Sequence, residues 1–124
     1  MGSRPAEWPE PFLRARDQIG PLLEAAGFRP LALEQENAGS FAEFGKRGVR
    51  LRLVWEAREQ ALWLEAARAS GGAVISRWTD VEWSLAGERL PLDRAIDQDR
   101  IDRLERALRA WLETPSPSGI RAGA

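Results

Sequence analysis

The chain of 124 residues contains no cysteine, no histidine and no tyrosine. Without cysteine there is no disulfide, no thiolate nucleophile, no iron–sulfur cluster and no cysteine-type zinc site, and the composition suits a reducing compartment. Without histidine the side chain that titrates nearest neutrality is missing, together with the commonest metal ligand. Ser–His–Asp, Cys–His and HExxH chemistry are therefore excluded. Catalysis would have to rest on carboxylates, Ser, Thr, Lys or Arg, and a metal on an all-oxygen site. The phosphate-loop pattern, GxGxxG and GxSxG are also missing, so no cofactor is expected.

Lysine is nearly absent too. Of the 18 basic residues only Lys46 is lysine and the rest are arginine. Arginine is the better bidentate ligand for anions, but 19 acidic residues balance the bases, the net charge is −1, and no basic run occurs. Nucleic acid is not an expected partner, because such binders carry net or clustered positive charge. No apolar run reaches the roughly 18 residues of a membrane span. Met1 to Pro11 holds two acids and three prolines and no apolar stretch, so no secretory signal is read there. The expectation is a cytoplasmic protein with no membrane partner.

What is present points to one folded unit. The length suits a single domain. Residues 1–9 and 114–124 are rich in Pro, Ser and Gly or charge and lack hydrophobic periodicity, so both are expected to be flexible tails around a domain at 10–113. Phe12, Ala15, Ile19, Leu22, Leu23 and Ala26 recur at three- and four-residue steps and predict a helix over 10–26, with a kink or restart at Gly20-Pro21. From Gly27 the period changes to two. Leu31 and Leu33, Ser40 to Phe44, Val49 to Trp55 and Ala61 to Ala67 read as four strands separated by turn residues. Gln98 to Glu113 carries an apolar stripe of Ile101, Leu104, Leu108, Trp111 and Leu112 and reads as a closing helix. The expected fold is α+β: an antiparallel β-meander of at least four strands with the N- and C-terminal helices packed on one face.

Tight turns fix an expected register. Leu33 falls opposite Ala42, Ala42 opposite Leu51, Phe44 opposite Val49, Leu53 opposite Leu64, and Trp55 opposite Leu62, all on one side of the sheet. The segment 74–92 reads as a further hairpin, Val81, Trp83 and Leu85 returning through Gly87 to Leu90 and Leu92, with no register joining it to the meander.

Pro21-Leu22-Leu23-Glu24-Ala25-Ala26-Gly27-Phe28, followed by a meander containing Leu51-Arg52-Leu53-Val54-Trp55, resembles small bacterial α+β proteins in which a helix ending in LLEAxGF enters a curved sheet. The resemblance spans roughly residues 10–68, implies the same fold and brings no catalytic residue with it.

The other sheet face then carries Glu34, Phe41, Arg52 and Glu65 in one row and Ala32, Glu43, Arg50 and Ala67 in the next, with Val54 opposite Trp63. One reading is a solvated face with cross-strand ion pairs. The other is a binding surface, since Trp and Arg are common interface anchors. Phe41, Arg50, Arg52, Val54, Trp63 and Glu65 are the expected partner-binding residues, for a protein partner or a second copy of the chain. The alternative is a small-molecule site between sheet and helices lined by Trp55, Trp78 and Trp83. Trp78 to Trp83 sets Asp80 and Glu82 between two indoles, a pattern able to raise a carboxyl pKa; two core tryptophans flanking exposed acids is the plainer reading. Asp93, Asp97, Asp99 and Asp102 read as helix-capping and surface acids, because the positive helix N-terminus and interspersed Arg94, Arg100 and Arg103 disfavour a cation. No metal site and no enzyme activity are expected. Gly45-Lys46-Arg47-Gly48 could bind an anion in a backbone nest, but without the phosphate-loop motif a basic hairpin tip is the better reading.

Overall fold

The computed structural model describes residues 8–36, 39–82 and 98–113. Helix α1 spans Glu10–Ala25, with Pro11 in its first turn, where a missing N–H costs nothing. Phe12, Ala15, Ile19 and Leu23 form its buried stripe. The helix continues through Pro21 without the expected restart. Pro21 and Asp17, one turn earlier, are both exposed; water therefore meets the carbonyl that proline leaves unpaired.

The end of α1 follows from LLEAAGF. The Gly27 N–H donates to the Glu24 carbonyl at 3.0 Å and the Phe28 N–H to the Leu23 carbonyl at 2.9 Å, the paired bonds of a Schellman stop. Phe28 and Leu23 are both buried. Lys46 Nζ lies 4.9 Å from the centroid of the Phe28 ring and donates to the Ala26 carbonyl at 3.3 Å, a cation at the negative helix end.

The strands follow as β1 (Arg29–Glu36), β2 (Gly39–Lys46), β3 (Val49–Glu56), β4 (Ala61–Ser70), β5 (Ala73–Val74) and β6 (Thr79–Asp80), and helix α2 (Gln98–Glu113) closes the described chain. Strand order is β1-β2-β3-β4-β5, every pairing is antiparallel, and β6 pairs with β4 beside β5. The chain is thus an α+β meander with a helix at each end of the sequence. Both helices join one core with the inner residues of the strands, among them Phe44, Leu51, Leu53, Leu62, Leu64 and Trp55. Each large aliphatic side chain buried there contributes about 1.5–3 kcal/mol.

The β3–β4 register is as expected, Leu53 facing Leu64 and Trp55 facing Leu62. The β2–β3 register is not. Ala42 faces Leu53 rather than Leu51, and Phe44 faces Leu51 rather than Val49. Gly45 and Lys46 belong to β2, so the turn consists of Arg47 and Gly48 alone. The even shift of two preserves which residues face inward and changes every cross-strand neighbour.

β1 departs in another way. Its register slips between Pro30 and Ala32, leaving Leu31 as the extra residue of a bulge. Leu33 faces Ala42 on the inner side as expected, yet it is 43% exposed, and Leu31 is 48% exposed. A groove of about 500 Å³ separates them from Arg16, Asp17 and Glu24 on α1. Trp8, assigned by composition to the leading tail, stacks on Phe12 at 5.9 Å between ring centroids. Of the expected 74–92 hairpin, Val81 and Glu82 form a helical turn and Val81 is buried in the core; Trp83, Leu85, Leu90 and Leu92 lie outside the described residues.

Candidate functional site

The corrected register rearranges the outer face. Glu34, Phe41, Val54 and Trp63 form one row across β1 to β4, and Ala32, Glu43, Arg52, Glu65 and Asp80 form the next, reaching β6. Phe41 therefore stands with Val54 and Trp63, not with Arg52. The apolar residues make one stripe and the charged residues another.

The charged stripe is clasped. Arg52 donates to Glu65 Oε1 from Nη2 at 2.7 Å and from Nε at 3.1 Å, while Trp63 Nε1 donates to Glu65 Oε2 at 3.1 Å. The Arg52 guanidinium lies 3.9 Å from the Trp78 ring centroid and 5.1 Å from that of Phe41. Trp78 gets there because the fifth strand position is interrupted. β5 ends at Val74 and β6 begins at Thr79, the Ile75 N–H still donates to the Arg68 carbonyl at 2.9 Å, and two extra residues enter the register against β4 before Thr79. The Arg68 N–H donates to Ser76 Oγ at 2.8 Å and ties that stretch to β4. Arg50 is also engaged, donating to Glu43 at 2.7 Å and to the Gly72 carbonyl at 2.6 Å.

Of the six expected partner-binding residues, then, Arg50, Arg52 and Glu65 form internal ion pairs. Phe41, Val54 and Trp63 form a half-buried apolar row. Both helices lie on the other face, so no described helix covers that row.

The three tryptophans of the small-molecule reading are not brought together. Trp55 belongs to the inner core and Trp78 to the outer face, and Trp83 lies outside the described residues. The two acids between the indoles are likewise separated. Asp80 stands beside Glu65 on the outer face, whereas Glu82 is buried on the inner side. Arg100 donates to Glu82 Oε2 from Nη1 and to Oε1 from Nη2, both at 2.8 Å, and Nη2 also donates to the Leu62 carbonyl at 2.7 Å. The expectation of exposed acids flanking core tryptophans is thus reversed for Glu82 and Trp78. Both oxygens of the Glu82 carboxylate are thus engaged by Arg100 in the buried core and do not face a cleft.

Between α1 and α2 lies a small amide–carboxylate network. Gln18 Nε2 donates to Asp102 at 2.9 Å and to Glu105 at 2.6 Å, and Gln98 Nε2 donates to Gln18 Oε1 at 2.7 Å and to Asp102 at 2.9 Å. The Gln18 amide is the main cause that holds Asp102 and Glu105 below the usual carboxylate range, helped by Gln98 and Arg109 respectively. Asp93 and Asp97 are not among the described residues. Among those that are, no three acidic side chains gather as a metal site would require, and no helix is long and apolar enough to cross a membrane.

Sequence reading missed the exposure of Leu31 and Leu33. The signal was Pro30, since proline inside a strand run marks an edge strand. It also missed Trp78, whose place depends on an interruption in β-pairing that leaves no periodic trace. Compared with protein families, curated proteins and solved structures, the chain matches none. The resemblance in residues 10–68 accordingly rests on its short motif alone.

Proposed function

We infer that this chain is a non-catalytic interaction protein that takes a protein partner, or a second copy of itself, on its sheet. The supporting observation is Leu31 and Leu33, 48% and 43% exposed on the terminal strand of the sheet. Large apolar side chains on an edge strand favour addition of a further strand. Pro30 and the bulge disfavour pairing at the start of β1, which leaves the stretch from Ala32 onward as the docking segment. The outer row Phe41, Val54 and Trp63 begins beside Glu34 of the same strand, so a docked strand has an apolar flank on that face.

The test uses Leu33→Lys at the edge and Trp63→Ala on the outer row, each with its melting temperature measured. Sedimentation velocity over a wide concentration range reads self-association, and affinity capture from the native source reads partners. The expected result is association or capture by the wild type, lost in Leu33→Lys and weakened in Trp63→Ala. Unchanged behaviour in both folded variants, or neither association nor capture by the wild type, would overturn the reading.

A further inference from the structure

One end of the sheet brings two turns side by side. The β2–β3 turn is Arg47-Gly48 and the β4–β5 turn is Gly71-Gly72, and the Ala69 N–H donates to the Gly48 carbonyl at 2.9 Å. Between them lies a cleft of about 560 Å³, and its charged lining residues are Lys46, Arg47, Arg50 and Arg68, with no acid among them. In a chain of net charge −1 this is a local excess of one sign. Linear order conceals it, because Arg68 is far from Lys46 and Arg47 in the chain and joins them only through the β3–β4 pairing, which sets Arg68 opposite Val49.

The four bases are not equivalent. Lys46 is held by the Ala26 carbonyl and the Phe28 ring, and Arg50 by Glu43 and the Gly72 carbonyl. These two build the wall. Arg47 and Arg68 are exposed, and neither has an acidic partner among the described residues. Their guanidinium forks are the groups that fit a phosphate oxygen pair. At Gly71 and Gly72, with φ of +60° and +85°, an added Cβ would meet nothing within 4 Å, so the turn's backbone is open to approach. Ile75, 56% exposed, supplies an apolar flank.

We propose that this cleft binds a phosphorylated small molecule, its phosphate held by Arg47 and Arg68 and its carbon body set against Ile75. The volume falls within the roughly 300–1,000 Å³ of small-molecule sites and exceeds what a bare ion needs. The proposal is independent of the edge strand β1 and of its partner.

The experiment is isothermal titration of the full chain at low salt with phenyl phosphate and with inorganic phosphate. Phenyl phosphate binds saturably with one site and more tightly than inorganic phosphate, and Ile75→Ser removes that advantage. Arg47→Ala and Arg68→Ala each weaken binding about tenfold, the effect of losing one charge-assisted hydrogen bond. Arg58→Ala, an exposed arginine in the β3–β4 turn at the other end of the sheet, leaves binding unchanged. Because Arg47, Arg68 and Arg58 are all exposed, the three variants keep the wild-type melting temperature. Absence of saturable binding to the wild type would overturn the proposal, as would equal losses in all three arginine variants. A single-stranded oligonucleotide that binds where phenyl phosphate does not would overturn it in favour of a polyanion surface.

Discussion

Two arginine–glutamate pairs sit on opposite faces of one sheet. Arg100 and Glu82 lie on the inner side with side chains 3% and 8% exposed, while Arg52 and Glu65 lie on the outer side at 25% and 17%. Their chemistry is the same and their surroundings are not. The inner pair is sealed among apolar residues and has a third partner in the Leu62 carbonyl. The outer pair is covered by two rings and remains in contact with water. A buried charge that loses its partner has no water to replace it, whereas a half-exposed one does. The inner pair therefore governs whether the core closes, and the outer pair governs where Trp78 lies.

Breaking the inner pair carries the largest expected effect. Arg100→Ala leaves the Glu82 carboxylate buried without its counter-charge, and a loss of about 3–5 kcal/mol is expected in urea unfolding. The double replacement Arg100→Met with Glu82→Leu, which removes both charges, should restore most of that stability. If the single and double variants are equally unstable, the buried charge is not the cause.

Arg52→Ala should cost less, about 1–2 kcal/mol, from two charge-assisted hydrogen bonds and the cation–π contacts. Its distinguishing readout is local: the near-ultraviolet circular dichroism of the tryptophans should change as Trp78 loses its seat, while far-ultraviolet dichroism stays constant. A wild-type near-ultraviolet spectrum in this variant would mean that Trp78 is held by something other than Arg52.

The smallest effect lies away from both pairs and depends on pH. Because Asp102 and Glu105 titrate below the usual carboxylate range when folded, their contribution is fully present above that range and is lost as pH falls below it through their lowered values. The wild-type melting temperature should therefore fall on acidification, and Gln18→Leu, which removes the amide that holds both carboxylates, should flatten that acid limb while lowering stability at neutral pH. An acid limb of unchanged steepness in the variant would assign the pH dependence to other groups.

Most of this frame is legible in the sequence, for local reasons. Both helices are written in three- and four-residue apolar spacing, and the strand Val49 to Trp55 alternates without interruption. The β3–β4 pairing follows from the four-residue turn Ala57 to Gln60. The β2–β3 pairing does not, because two glycines invite a four-residue turn, Gly45 to Gly48, where two residues suffice. A four-residue turn keeps Phe41 on the same face but pairs it with Arg52 instead of Val54. It hid the division of the outer face into an apolar and a charged stripe. The bulge at Leu31 is signalled only by the neighbouring Pro30, and the two extra residues between Val74 and Thr79 break the period-two pattern on which strand reading relies. The Arg100–Glu82 pair joins residues from separate elements, and no spacing rule announces it.

Lys46 has a consequence of a practical kind. It is the one lysine of the chain, and its amine sits where the end of α1 meets the basic cleft. An acylating reagent or an amine-directed dye thus finds a single side chain to modify. That makes the residue a ready-made footprint: its rate of labelling reports the state of this corner of the molecule without any engineered cysteine. A ligand seated in the cleft should slow the reaction, and docking at β1 should leave it unaltered.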